Sequence, residues 1–266
     1  MAVAAKSIFV TGAGSGIGRA TALLFAERGW FVGLYDVSAS GLAETSKLIA
    51  PDRQITGQFD VRDAEAWKQA VSQFGDVTGG KMHALFNNAG IARHGWFEDV
   101  PEADADLIVD VNIKGVINGC YAALPLLKAT QGARLINVAS VAGMIGAPKL
   151  AVYTASKFAV RGLTEALNAE FQRHGVGVCC LMPWFIDTPI LNAATSGTNQ
   201  QMKDAIKQQG SDVYPVSIAA EAAWAAAHGD ETHYPVGKRA KESWTLSRWF
   251  PKLVANRIRK QMIAPS

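Results

Sequence analysis

Seven short runs rich in apolar and β-forming residues, SIFVTG, FVGLYD, ITGQFD, ALFNNAG, RLINVAS, GVCCLMP and HYPVG, recur along the chain with longer helix-like stretches between them. No other feature constrains the fold as tightly, because such alternation is the pattern of βαβ units on a parallel sheet. Several runs are nearly continuous in apolar residues, as expected of strands covered by helices on both faces. No tandem repeat or low-complexity linker interrupts them, and 49% hydrophobic residues in a chain of 266 supply a sizeable core. The expectation is one α/β domain over residues 1–237, followed by a basic tail at 238–266. A polar stretch at 192–211 breaks the rhythm and reads as part of a substrate loop spanning about 186–215.

The first run leads into VTGAGSGIGRA, residues 10–20, which opens a helix rich in Ala and Leu. Glycines 12, 14, 16 and 18 permit tight turning and close backbone approach, leaving helix N–H groups to face a pyrophosphate. The spacing is Gly-x-x-x-Gly-x-Gly, with Ile17 where a G-x-G-x-x-G fingerprint would want its last glycine. Asp36, closing the second run, is placed to accept hydrogen bonds from a ribose hydroxyl pair and to repel a 2′-phosphate. Neither Ser15 nor Val37 supplies a positive charge, so the loop favours NAD over NADP.

Further along, VYTASKFAV sets Tyr153 and Lys157 four residues apart, which stacks them on one face of a helix. An ammonium beside a phenol favours its ionised form and suits it to proton transfer. Taken alone, the pair reads more readily as a surface aromatic beside a solvated lysine.

Together these residues resemble the short-chain dehydrogenase/reductase family in its single-domain form. The likeness runs over about residues 6–237 and rests on TGAGSGIG at 11–18, NNAG at 87–90, Asn112 in VNIKG, Ser140 in NVAS, and Tyr153 with Lys157. The resemblance implies a Rossmann-like doubly wound parallel sheet of about seven strands, reversible oxidation of an alcohol by a nicotinamide cofactor, and a homodimer or homotetramer. It implies Tyr153 as general acid/base, Ser140 as the group that hydrogen-bonds the substrate oxygen, Lys157 as a ribose contact, and Asn112 as the holder of a water linking Lys157 to solvent. For the cofactor it implies Gly12, Ser15, Gly16, Ile17, Gly18, Asp36, Asp60, Val61, Asn88, Ala89, Gly90, Tyr153, Lys157, Pro183, Ile186 and Thr188. Asp60 in this scheme contacts the adenine, and Asn88 supports the backbone.

After the sixth run the family commonly reads Pro-Gly, whereas this chain has MPWFIDTPI and puts Trp184 in the glycine position. With His94, Met144, Ile145, Ile190 and Leu191 it is expected in the substrate pocket, which would then take an apolar secondary alcohol or ketone. Steroid or sugar-derived alcohols, and a catalytically silent NAD(H)-binding sensor, are the alternative readings. Ser140 lies in VASVAG rather than a G-x-S-x-G elbow, and the five histidines lack metal-ligand spacing, so neither a hydrolase nor a metal site is expected.

The formal charge of +3 hides an asymmetry. Residues 238–260 carry eight Lys or Arg against Glu242 alone, leaving the rest of the chain acidic and unlike a nucleic-acid-binding body. In the tail, Pro251 should separate two short helices, and Val254, Ile258 and Met262 recur every four residues opposite Lys252, Arg259 and Lys260. Packing on the protein body or on a neighbouring subunit is the favoured role of that stripe, with membrane contact the alternative. The helix beginning near Tyr153 presents Phe158, Leu163, Ala166, Leu167 and Ala169 as a face for a second subunit. No leader segment or membrane-length apolar run is evident, so a cytoplasmic protein is expected. Its three cysteines should be buried free thiols.

Overall fold

The computed structural model describes residues 5–192, 201–208 and 210–263. Seven strands, β1 (Ser7–Thr11), β2 (Phe31–Asp36), β3 (Gln54–Gln58), β4 (Ala84–Asn87), β5 (Arg134–Val138), β6 (Gly177–Pro183) and β7 (His233–Val236), coincide with the seven runs read from the sequence. They form one sheet in the order β3-β2-β1-β4-β5-β6-β7. Every pairing is parallel. The order reverses between β1 and β4, and at such a switch point the carboxyl ends of the strands open a crevice. The 193–200 part of the expected substrate loop, and residue 209, lie outside the described residues.

The helices are α1 (Gly16–Glu27), α2 (Ala39–Ser46), α3 (Ala64–Thr78), α4 (Glu102–Val109), α5 (Gly115–Lys128), α6 (Ala151–Phe171), α7 (Met202–Gln208), α8 (Val216–His228), α9 (Lys238–Trp249) and α10 (Pro251–Ile263). Period-two alternation along the strands builds two cores. Phe9, Tyr35, Leu135 and Cys180 face one layer with Trp67 and Phe74 of α3, Val116 of α5 and Val160 of α6. Ile8, Val10, Leu34 and Cys179 face the other with Phe25 of α1 and Ala219 and Ala223 of α8. The cysteines are free and buried, and burial pushes Cys120 up to about 12 and Cys179 up to about 11.

Between α4 and α5 a π-turn at Asp110–Lys114 joins the two into one helical run, Glu102–Lys128. That run is long and apolar enough to cross a membrane. Here, however, its Val116, Cys120, Ala123 and Leu127 are buried in the protein core. In the tail, Ala240 of α9 is buried and Trp244 packs against the same core, while α10 contacts α9.

Candidate active site

The site grows from the end of β1. Gly12 and Gly16 adopt φ of 68° and 52°, a left-handed backbone that favours glycine. A Cβ at Gly12 would stand 2.7 Å from Asn88 Nδ2, and one at Gly18 would collide with the Gly12 carbonyl. Thr11, which the sequence reading quoted within TGAGSGIG but gave no role, ties this turn to β4. Its hydroxyl accepts from the backbone N–H of Asn88 (3.0 Å) and Ala89 (3.1 Å), while Asn88 Nδ2 donates to the Thr11 carbonyl (2.9 Å). Its only sequence signal was a hydroxyl at the strand end beside the glycines. Ser15 is the N-cap of α1, yet its side chain makes no cap bond. The first-turn N–H groups therefore keep their capacity for an anion.

Asp36 accepts from the N–H of Gly14 and of Ser38, both at 2.9 Å, and a carboxylate so held retains lone pairs for further donors. Arg19 donates to the Gly14 carbonyl, to Thr45 (2.9 Å) and to Glu44 (2.8 Å). Asp36, with Gly12, Ser15 and Gly16 of the turn, borders a cavity of about 400 Å³. Of the expected cofactor residues, Gly12, Ser15, Gly16, Ile17, Asp36, Asp60, Val61, Asn88, Ala89, Gly90 and Thr188 line it. Gly18 lies buried beneath the turn, Pro183 ends β6 and Ile186 is buried, and neither these three nor Tyr153 and Lys157 line the cavity. Asp60 differs from expectation in one respect. Arg62 grips its carboxylate (2.9 and 2.6 Å), and that hydrogen bond holds the Asp60 carboxyl below its usual range.

The four expected catalytic residues come from three segments. Asn112, in the π-turn, is fully buried and receives the Ile91 N–H (2.9 Å) while donating to the Ile91 carbonyl (2.9 Å) and to Ser156 Oγ (3.0 Å). An inserted π-turn is a recurrent way to aim one side chain out of helical register. Ser140 follows β5, and its Oγ accepts from the Ala142 N–H (3.1 Å). On α6, Lys157 is 4% exposed, donates to the Val138 carbonyl (2.8 Å) and holds Nζ 5.5 Å from the centre of the Tyr153 ring. Burial lowers its pKa to about 8. Burial raises the pKa of Tyr153, and the neighbouring Ser140 side chain opposes the rise. The phenol is therefore less acidic than the Tyr–Lys spacing alone suggested, because desolvation outweighs its neighbours. Gly90 connects this group to the cavity, since a Cβ on it would lie 3.3 Å from Asn112 Oδ1 and 3.4 Å from Lys157 Nζ.

The expected substrate residues divide. Ile190 lines the cavity. Leu191 is buried in an apolar cluster with Ala92 and Leu150, against which Tyr153 and Phe185 pack. Met144 is instead a buried core residue, and Ile145 and Trp184 pack on that same core. The Trp184 indole stands edge-on to Phe185, and its Nε1 is buried without a hydrogen-bond partner. An indole fills core volume as well as it walls a pocket, so the sequence could not separate the two roles. His94 is half-buried in the loop after β4, and burial followed by Lys149 lowers its pKa.

A parallel sheet with a glycine turn at its switch point and a Ser, Tyr and Lys group beside the cavity define a dinucleotide-dependent oxidoreductase. The family model "short chain dehydrogenase" matches residues 6–199, and the chain belongs to that family. It is similar to the putative oxidoreductase SadH of Mycobacterium tuberculosis, with 40% identity over 206 residues covering 74% of this chain and 73% of that protein. A Burkholderia phymatum short-chain dehydrogenase/reductase solved in complex with NAD superposes with a TM-score of 0.82 at 28% identity, covering 94% and 95% of the two chains. A Burkholderia cenocepacia short-chain dehydrogenase in complex with NADP shares the fold, with a TM-score of 0.79 at 24% identity and full coverage of both chains.

The residues present fit a nicotinamide dinucleotide. The left-handed glycines bring bare backbone to the cavity, the α1 N-terminus offers uncapped donors, and Asp36 waits at the end of β2. Such a cofactor, when bound, supplies the hydride acceptor or donor.

Proposed function

We propose that this chain interconverts an apolar secondary alcohol and its ketone with NAD(H), Tyr153 moving the proton. The observation that carries the proposal is the convergence of Ser140, after β5, with Tyr153 and the buried Lys157 on α6, the Lys157 Nζ lying 5.5 Å from the centre of the Tyr153 ring. In reduction, Tyr153 gives its proton to the carbonyl oxygen while Ser140 hydrogen-bonds that oxygen as charge develops. In oxidation the same phenolate takes the proton back. Burial favours the protonated phenol, the form that reduction uses, and oxidation, which releases a proton, gains as pH rises. Lys157, at about 8, is mostly ammonium at pH 7 and favours the phenolate whenever one forms.

The preference for NAD rests on charge. A 2′-phosphate beside Asp36 meets like-charge repulsion, and the two nearby guanidiniums are engaged elsewhere, Arg19 with Glu44 and Arg62 with Asp60. The preference for an apolar substrate rests on the cluster around Tyr153, which combines Ala92, Leu150, Leu191, Ile190 and Phe185.

An absorbance assay for reduced nicotinamide, run over a panel of secondary alcohols and ketones with both cofactors, tests the proposal. Tyr153→Phe should lower kcat by about 100-fold or more and leave NADH binding within about twofold of wild type. A variant retaining most of the wild-type kcat would remove Tyr153 from the chemistry. Equal or better kcat/KM with NADP would overturn the cofactor assignment.

A further inference from the structure

The chain turns a corner at Phe250, between α9 and α10. On one side of α9, Ala240, Trp244 and Ser247 meet the body of the protein, and Trp244 sits between the guanidiniums of Arg161 (4.9 Å) and Arg248 (5.1 Å). On the other side four large apolar residues stand in solvent: Leu246 is 38% exposed, Trp249 74%, Phe250 57% and Leu253 56%. Leu246 and Trp249 lie one turn apart on α9, Phe250 stands at the corner, and Leu253 follows in the first turn of α10, so the four cluster in sequence around the elbow. The stripe expected to pack, Val254 and Ile258, is half-buried, while the side chain of Met262 lies outside the described residues. The exposed apolar face is thus a different one from the stripe read in the sequence.

Charge surrounds this patch. Arg239 reaches Asp212 and Glu242, but Lys238, Lys241, Lys252, Arg257, Arg259 and Lys260 have no acidic partner among the described residues. We propose that the α9–α10 elbow is a docking surface for an anionic lipid bilayer. Trp249 and Phe250 would enter the headgroup boundary with Leu246 and Leu253, and the unpaired cations would meet lipid phosphates and carboxylates. Charge complementarity selects this occupant. A second copy docking through the same face about a two-fold axis would bring its own excess of lysine and arginine against this one. A single elbow of this size gives weak, reversible attachment.

The test is co-sedimentation of the full-length protein with vesicles of pure phosphatidylcholine and of phosphatidylcholine with about one-third phosphatidylserine. Wild type should partition on the order of tenfold more strongly to the anionic vesicles and lose that excess on going from about 0.05 to about 0.5 M salt. Trp249→Ser with Leu253→Ser, and separately Lys252→Glu with Arg259→Glu, should each reduce anionic-vesicle binding on the order of tenfold. Both pairs should keep the wild-type melting temperature and turnover, because these side chains are exposed. Equal binding to both vesicle types, no binding to either, or double variants that bind like wild type would overturn the proposal. So would a drop in sedimentation mass in the Trp249/Leu253 variant with vesicle binding intact, which would make the elbow a subunit interface.

Discussion

Lys157 is an ammonium in a place that folding alone would leave to an apolar side chain. Its pKa falls from 10.5 to about 8 through burial, a penalty on the charged form of about 3 kcal/mol. The single hydrogen bond to Val138 returns only about 1 kcal/mol. Between pH 8 and 10.5 the unfolded chain still binds a proton that the folded chain has released, so this group's contribution to stability rises with pH across that window. Lys157→Met should therefore raise the melting temperature at pH 7 by a few degrees, with the gain shrinking above pH 8, and it should abolish turnover. Thermal unfolding over a pH series measures this, and a variant less stable than wild type at pH 7 would refute it.

At the scale of elements, the position of α6 decides where Tyr153 and Lys157 stand beside the cavity. A buried polar chain fixes it: Asn87 donates to Asn137 (3.0 Å), Asn137 to Thr164 (2.9 Å), and Thr164 to the Val160 carbonyl (2.7 Å), joining β4, β5 and α6. Asn137 is fully buried, so Asn137→Ala leaves Asn87 and Thr164 short of partners at a cost of about 1–3 kcal/mol. A fall of roughly 2–10 °C in melting temperature is expected, together with a loss in kcat larger than any change in KM. Unchanged kcat would show that the chain stabilises the fold without aligning α6. None of this was legible in the sequence, where Asn87 entered only within NNAG and Asn137 only within NVAS. Nor was the π-turn, because DVNIK is an ordinary helical pentamer until Ile91 draws Asn112 inward. The glycine loop was legible because left-handed backbone and close approach leave few other residue types for those positions. Met144, Ile145 and Trp184 pack on the core, and in the sequence an apolar side chain carries no mark of which cavity it fills.

The whole molecule leaves one long face of α6 open. Leu163 and Leu167, expected on that face, pack inward on the core, whereas Ala151, Ala155, Phe158, Ala159, Gly162, Ala166 and Ala169 point to solvent. Small residues let two helices approach closely, and Phe158, 41% exposed, supplies an apolar anchor. We expect this face to pair across a two-fold axis, so that wild type sediments as a dimer or tetramer at micromolar concentration and Phe158→Glu shifts it toward a smaller species. A wild-type monomer would refute the pairing. The strands were recognisable because a sheet buried on both faces needs uninterrupted apolar runs, but exposed alanines state no partner.

Adjacent residues of β6, the strand beside the edge strand β7, also carry a clock. Cys179 faces the layer of α1 and α8, and Cys180 faces the layer of α3, α5 and α6. A thiol reagent reaches either sulfur only when its own layer opens, so two neighbouring atoms time the exposure of opposite sides of the molecule. Cooperative unfolding would label both at one rate in peptide-resolved mass spectrometry. Faster labelling of Cys179 would mean that the α1–α8 layer lifts from an otherwise intact sheet.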